Sequence, residues 1–252
     1  MTTHGVAIQA RRAVSGAEAR ERPGWAALYR IGGWAAVAML ALIPVQLAVF
    51  VIWPLPTTVA GWFALFQSNW LIGLIDMDVL LIVDWALTVL IFLALAIAVR
   101  RTGPALLVIA VTFELVAAAT YFASAGAVEM LALSGRFATA ATDAERTVLL
   151  AAGETVVAAW TGTSFVVATV LSAIAILVLS TVMLRGRVFG RTIPILGLAM
   201  GATAIVPPNA GTIGLMFSLL YLLPFVVWLV LVARALLRFS EHAEDLPGDP
   251  AQ

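Results

Sequence analysis

Residues 79–124 read VLLIVDWALTVLIFLALAIAV (79–99), RRTG (100–103), PALLVIAVTFELVAAATYFAS (104–124). Each apolar stretch has the roughly 20 residues that a helix needs to cross about 30 Å of hydrocarbon. The paired arginines, Gly103 and Pro104 between them stop one helix and start the next. The segment therefore reads as a transmembrane hairpin with its connector in water. Its two interior acids, Asp84 and Glu114, are the exceptions that carry functional interest.

Working outward, similar runs occur at about 32–53, 161–184, 192–208 and 213–234, giving six spans in all. The fifth is the shortest, because about 16 residues rise only some 24 Å. The whole chain has 63% hydrophobic and 11% charged residues and a mean hydropathy of +1.06 over 252 residues. Soluble domains hold roughly 45–50% apolar and 25% charged residues, so a soluble globular fold is excluded. Residues 1–24 and 239–252 read as polar, disordered cytoplasmic tails around a membrane domain at 25–238. No cleavable secretory signal is expected, since the first apolar run starts far from Met1 and lacks a small-residue cleavage site.

Orientation follows from the arginines. Arg11, Arg12, Arg20, Arg22, Arg30, Arg100, Arg101, Arg185, Arg187, Arg191, Arg234 and Arg238 all fall on one side of a six-span arrangement, against Arg136 and Arg146 on the other. The positive-inside rule then puts both termini in the cytoplasm. The opposite side carries the acids Asp76, Asp78, Glu129, Asp143, Glu145 and Glu154.

Two connectors on that acidic side are long enough to fold. In 57–66, Thr57 or Thr58 can cap a helix bearing Trp62, Phe63 and Phe66, expected to lie in the outer interface with Trp70 just beyond. In 126–153, Thr142 to Glu145 forms a capping box, and the helix it opens is expected to bend at Gly153 into the fourth span. Together they predict a small extracytoplasmic helical cap. Gly197 and Gly201 predict close approach of the fifth span to a neighbour, and Pro44 and Pro224 predict kinks.

Absences narrow the chemistry. With no cysteine there is no disulfide or thiol site, and with no lysine no Schiff base. His4 and His242 lie outside every apolar run, which leaves no imidazole for a membrane-embedded hydrolase or metal site. No nucleotide-binding or metalloprotease motif occurs. Zero formal charge gives no electrostatic reason to expect nucleic acid. No cofactor, metal site or catalytic residue is expected, and Asp76 and Asp78 read as solvated helix-end acids.

A charge at mid-bilayer costs at least about 2.5–3.5 kcal/mol on insertion scales, so Asp84 and Glu114 each need a partner, a proton or water. Counted from the arginine edge, Asp84 lies 16 residues in (100 − 84) and Glu114 lies 13 (114 − 101). The same count brings Gln46, Thr88, Thr169, Ser172, Ser218 and Tyr221 to a similar depth. Asp84 shares a helix face with Thr88, and Glu114 shares one with Tyr121. A buried polar layer is predicted, with Glu114 facing Thr88 across the hairpin. Asp84, Thr88, Glu114, Tyr121, Ser172 and Tyr221 form the candidate ligand or proton site.

Three readings of the layer stand side by side: a closed hydrogen-bond network in which a protonated Glu114 donates, a polar cavity for a small ligand or for protons, and a catalytic carboxylate pair. The reading adopted is an all-α polytopic bundle that is non-enzymatic and binds a small or lipidic ligand or a membrane-protein partner. A small-solute or proton-coupled transporter is the alternative, and an intramembrane enzyme the third.

The segments PVQ (44–46), FQSNWLIGLIDMDVLLIVDW (66–85), YFASAGAVEMLALS (121–134), AERTVLLAAGETVVAAWTGTSF (144–165) and LLYLLPFVVWLVLVAR (219–234) resemble a family of bacterial multi-pass membrane proteins defined only as a domain of unknown function. The likeness covers roughly residues 28–238 and is carried by Asn69-Trp-Leu-x-Gly-Leu74 and Gly153-Glu-x-x-x-Ala-x-Trp160. It implies six spans in a bacterial plasma membrane, and no activity, cofactor or site residue.

Overall fold

The computed structural model describes residues 25–244, which are helical almost throughout and, among the described residues, contain no strand. In order they are α1 (Ala26–Ile52), α2 (Val59–Ser68), α3 (Trp70–Leu74), a π-helical turn (Ile75–Val79), α4 (Leu80–Ala98), α5 (Pro104–Ser124), α6 (Ala127–Thr139), α7 (Asp143–Trp160), α8 (Thr163–Gly186), α9 (Thr192–Ala204) and α10 (Gly211–Glu244). Five stretches are long and apolar enough to cross a membrane, and α9 is a shorter apolar helix. The protein is a helical membrane bundle.

The long helices and α9 form a ring in chain order. Helix α1 packs on α4, α4 on α5, α5 on α8, α8 on α9, α9 on α10, and α10 closes back on α1. Short connectors make α4 and α5, and α8 and α9, antiparallel neighbours, while the contacts of α1 with α4, α5 with α8 and α10 with α1 close the ring. The ring closes tightly where side chains are small. A methyl added to Gly32 would collide with Ala94, and one on Gly201 would lie 2.5 Å from Leu177. At Gly197 it would overlap Ser180, so the expected close approach of the fifth span is to α8.

The arginine-bearing segments gather at one end. Arg100 lies over the Trp25 ring at 5.8 Å, while Phe239 meets both Tyr29 at 6.1 Å and Phe189 at 5.3 Å. The N-terminus of α1, both arginine connectors and the end of α10 are thereby brought together. At the far end Asn209, just beyond α9, donates to the Thr161 carbonyl at 2.7 Å. Despite its 13 residues, α9 and the turn after it therefore carry the chain from one end of the bundle to the other. Arg11, Arg12, Arg20, Arg22, His4 and the rest of 1–24 and 245–252 lie outside the described residues.

The far end carries the cap, built as a second hydrophobic cluster of Val59, Trp62, Phe63, Phe66, Met77, Ala127 and Met130. Thr58 is the N-cap of α2, accepting from Gly61 N–H at 3.1 Å. The Thr142 capping box forms as well: Thr142 Oγ1 accepts from Glu145 N–H at 3.2 Å, and Glu145 reaches back to Ala141 N–H.

Several expectations require correction. Helix α7 continues without interruption through Gly153, which lets it close on Val59 and Phe63; the break into α8 falls at Thr161–Gly162. Helix α2 does not lie bare in an interface, because Trp62, Phe63 and Phe66 are buried against α6 and α7. Residues 239–244 continue α10 and are no disordered tail. Helical order also begins earlier than the apolar runs, at Ala26 and Trp70, because backbone bonding continues where hydropathy has already fallen.

Candidate functional site

A cavity of about 340 Å³ opens within the ring between α1, α4, α8, α9 and α10. It exists because small or short polar residues, Thr88, Thr169, Ser172, Thr203 and Ser218, face one another where larger side chains would have filled the gap. Of the six candidate residues, Asp84, Thr88, Ser172 and Tyr221 line it. Thr169 and Ser218, placed at the same depth by residue counting, line it too.

Asp84 accepts from the Gln46 side-chain amide of α1 through Oδ2. Thr88 donates to the Asp84 backbone carbonyl at 2.8 Å, as the i, i+4 spacing requires. Three further hydroxyls are spent the same way: Thr169 on Phe165, Ser218 on Gly214 and Thr203 on Ala199 and Met200. A hydroxyl has one hydrogen and two lone pairs, so each of these oxygens keeps acceptor capacity and no free hydrogen.

Glu114 and Tyr121 do not line the cavity. Glu114 is 1% exposed, and its partner is Ser172 of α8, which donates to Oε2 at 2.8 Å. The expected pairing with Thr88 does not form, because α5 packs most extensively on α8 and only lightly on α4. Glu114 Oε1 has no hydrogen-bond partner among the described residues, so the network is not closed. Tyr121 is stacked on Trp85 at 5.3 Å and is also without a partner for its hydroxyl among the described residues. Glu114 thus sits one residue behind the wall, connected to it through Ser172.

Asp76 and Asp78 are the other correction. Both are only 2% exposed, and neither is a solvated helix-end acid. They lie in the π-helical turn, which tucks them beneath the cap. Asp78 Oδ2 accepts from Gly126 N–H at 2.7 Å and Ala127 N–H at 2.6 Å. These are unsatisfied donors at the start of α6, whose own N-cap residue, Gly126, has no side chain to serve them. A carboxylate from another helix thus does the work of an N-cap. Among the described residues no cluster of three or more His, Cys, Asp or Glu could hold a metal ion.

Residue counting reached Tyr221 but missed the rest of the aromatic wall. Phe217, Tyr221, Phe225 and Trp228 line the cavity from α10, joined by Trp85 and Phe165. Their spacing of three or four residues, a single helix stripe, was a usable signal, but in an apolar span it does not stand out from lipid-facing residues. No family model, curated protein or solved structure matches the chain.

Proposed function

We propose that this chain is a non-enzymatic integral membrane protein that binds a small molecule in its intramembrane cavity. The observation that carries the reading is a carboxylate, Asp84, on the wall of a void of about 340 Å³ inside an otherwise tightly packed ring. Ligand pockets span about 300–1,000 Å³, mostly apolar with a few placed polar groups, and this void matches that description at its lower end. The size favours a small ligand over a phospholipid. The arginine-rich end faces the cytoplasm in this reading, with both termini inside and the cap outside a bacterial plasma membrane. The orientation rests on the distribution of arginine alone, and the plasma-membrane location on what the resemblance in residues 28–238 implies.

Proton-coupled transport of a small solute is the second reading. It is favoured by one feature, the Glu114 carboxyl held behind Ser172 with one oxygen unpartnered among the described residues.

Binding is tested on the purified chain in lipid nanodiscs by fluorine NMR, using para-fluorobenzyltrimethylammonium and its uncharged carbon isostere para-fluoroneopentylbenzene. Saturable binding of one molecule per chain, lost when Ser218→Trp fills the cavity, is expected. Absence of saturable binding by either probe to the folded chain overturns the reading. Orientation is tested in intact cells, where the absence of native cysteine makes single labels unambiguous. An impermeant maleimide should reach Ala141→Cys and not Glu241→Cys.

A further inference from the structure

We infer that the cavity is selective for organic cations: a protonated or quaternary amine on a compact apolar body. This rests on the binding role proposed above and adds the chemical class of the ligand. The first ground is charge. Among the described residues, Asp84 is the only carboxylate on the wall and no arginine or histidine contributes; Glu114 is set back behind Ser172. A carboxylate with one amide partner, Gln46, retains lone pairs for a further donor.

The second ground is the polarity of the hydrogen-bonding groups. The hydroxyl hydrogens of Thr88, Thr169, Thr203 and Ser218 are committed to backbone carbonyls of their own helices. Ser172 has given its hydrogen to Glu114. Trp228 turns its Nε1 toward Gly197 of α9, where an added methyl would lie 3.5 Å from it. These hydroxyls therefore present acceptor lone pairs, and the donors left on the wall are the Tyr221 hydroxyl and the indole N–H groups of Trp85 and Trp228, the last without a partner among the described residues. An anion would meet the Asp84 carboxylate and these lone pairs, and it would be repelled.

The third ground is the aromatic lining. Trp85, Phe165, Phe217, Tyr221 and Phe225 line the same space, and aromatic rings attract ammonium groups that have left water. An apolar body gains from the same surfaces by burial. The carboxylate, the acceptor-presenting hydroxyls and the aromatic lining together favour a positive charge on an organic frame.

The two isosteric probes decide the point without any variant, because they differ only in whether nitrogen or carbon sits at the branch. The wild-type chain should bind the trimethylammonium probe at least about tenfold more tightly than the neopentyl probe. In Asp84→Asn the trimethylammonium affinity should fall until the preference is about threefold or less, while an unfolding midpoint close to that of the wild-type chain shows that the bundle is intact. Equal affinities in the wild-type chain, or an undiminished preference in Asp84→Asn, overturn cation selectivity while leaving the cavity as a binding site. If neither probe binds saturably, both inferences fall together.

Discussion

Asp78 and Asp84 lie six residues apart (84 − 78) on one continuous helical stretch, the first buried and the second half-buried, and they have opposite surroundings. Asp78 is pinned by two backbone N–H groups of α6, at 2.7 and 2.6 Å, and holds the cap onto the bundle. Asp84 has a single side-chain partner and borders open space. The difference lies in who supplies the donors. Backbone amides at a helix start are fixed and must be satisfied, so the acid that serves them is committed to structure. A lone amide side chain leaves capacity that a ligand can use.

This contrast can be broken by substitution. The largest effect should come from Asp78→Ala, which strips two buried N–H groups of their acceptor; we expect about 2–4 kcal/mol of destabilisation. Thermal unfolding in detergent micelles measures it, and an unchanged midpoint would remove Asp78 from its structural role. Asp78→Asn keeps an acceptor oxygen and loses the charge assistance, for an expected loss of about 1–2 kcal/mol. Restoration to wild-type stability would show that charge is irrelevant to the cap. The smallest change should be Asp84→Asn, within about 1 kcal/mol, because Gln46 can still donate to the remaining carbonyl oxygen. If Asp84→Asn unfolds the bundle as severely as Asp78→Ala, the two acids are equivalent and the contrast fails.

The two regions also differ in what holds them together. The bundle is closed by small residues, with Gly32 against Ala94 and Gly197 against Ser180, which let backbones approach where hydrophobic driving force is weak. The cap is a soluble-style core of large aromatics, with Trp62 edge-on to Trp160 at 5.8 Å and Phe63 near Phe137 at 5.1 Å. Both regions bury aromatics, Trp62, Phe63 and Phe66 in the cap and Phe92, Tyr121 and Trp228 in the bundle. In the bundle, Tyr221 and Phe225 stack at 5.1 Å beside the void.

Much of this was legible from residue order. The spacing of apolar runs yields a helical membrane bundle, and arginine alternation places the connectors at one end. Thr58 and the Thr142 box fix helix starts because a cap is a local, three-residue affair. Counting depth from the arginines brings Asp84, Thr88, Thr169, Ser172, Ser218 and Tyr221 to a common level, since helical rise is constant. The same count could not reveal azimuth, and so it paired Glu114 with Thr88 when α8 was the nearer neighbour. It also left Asp76 and Asp78 in solvent, because nothing local announces that a cap will fold over them.

Depth along the membrane normal is written in the chain itself, because hydrocarbon thickness and 1.5 Å per residue set a ruler that every span obeys. Rotation about each helix axis is not. It was settled only when six helices closed into a ring and chose which faces to press together, and that choice put Glu114 behind the wall, left Asp84 on it, and opened a void between them and the α10 aromatics. Apolar faces in lipid are nearly interchangeable, so shape complementarity among all the helices at once, absent from any single segment, makes the decision.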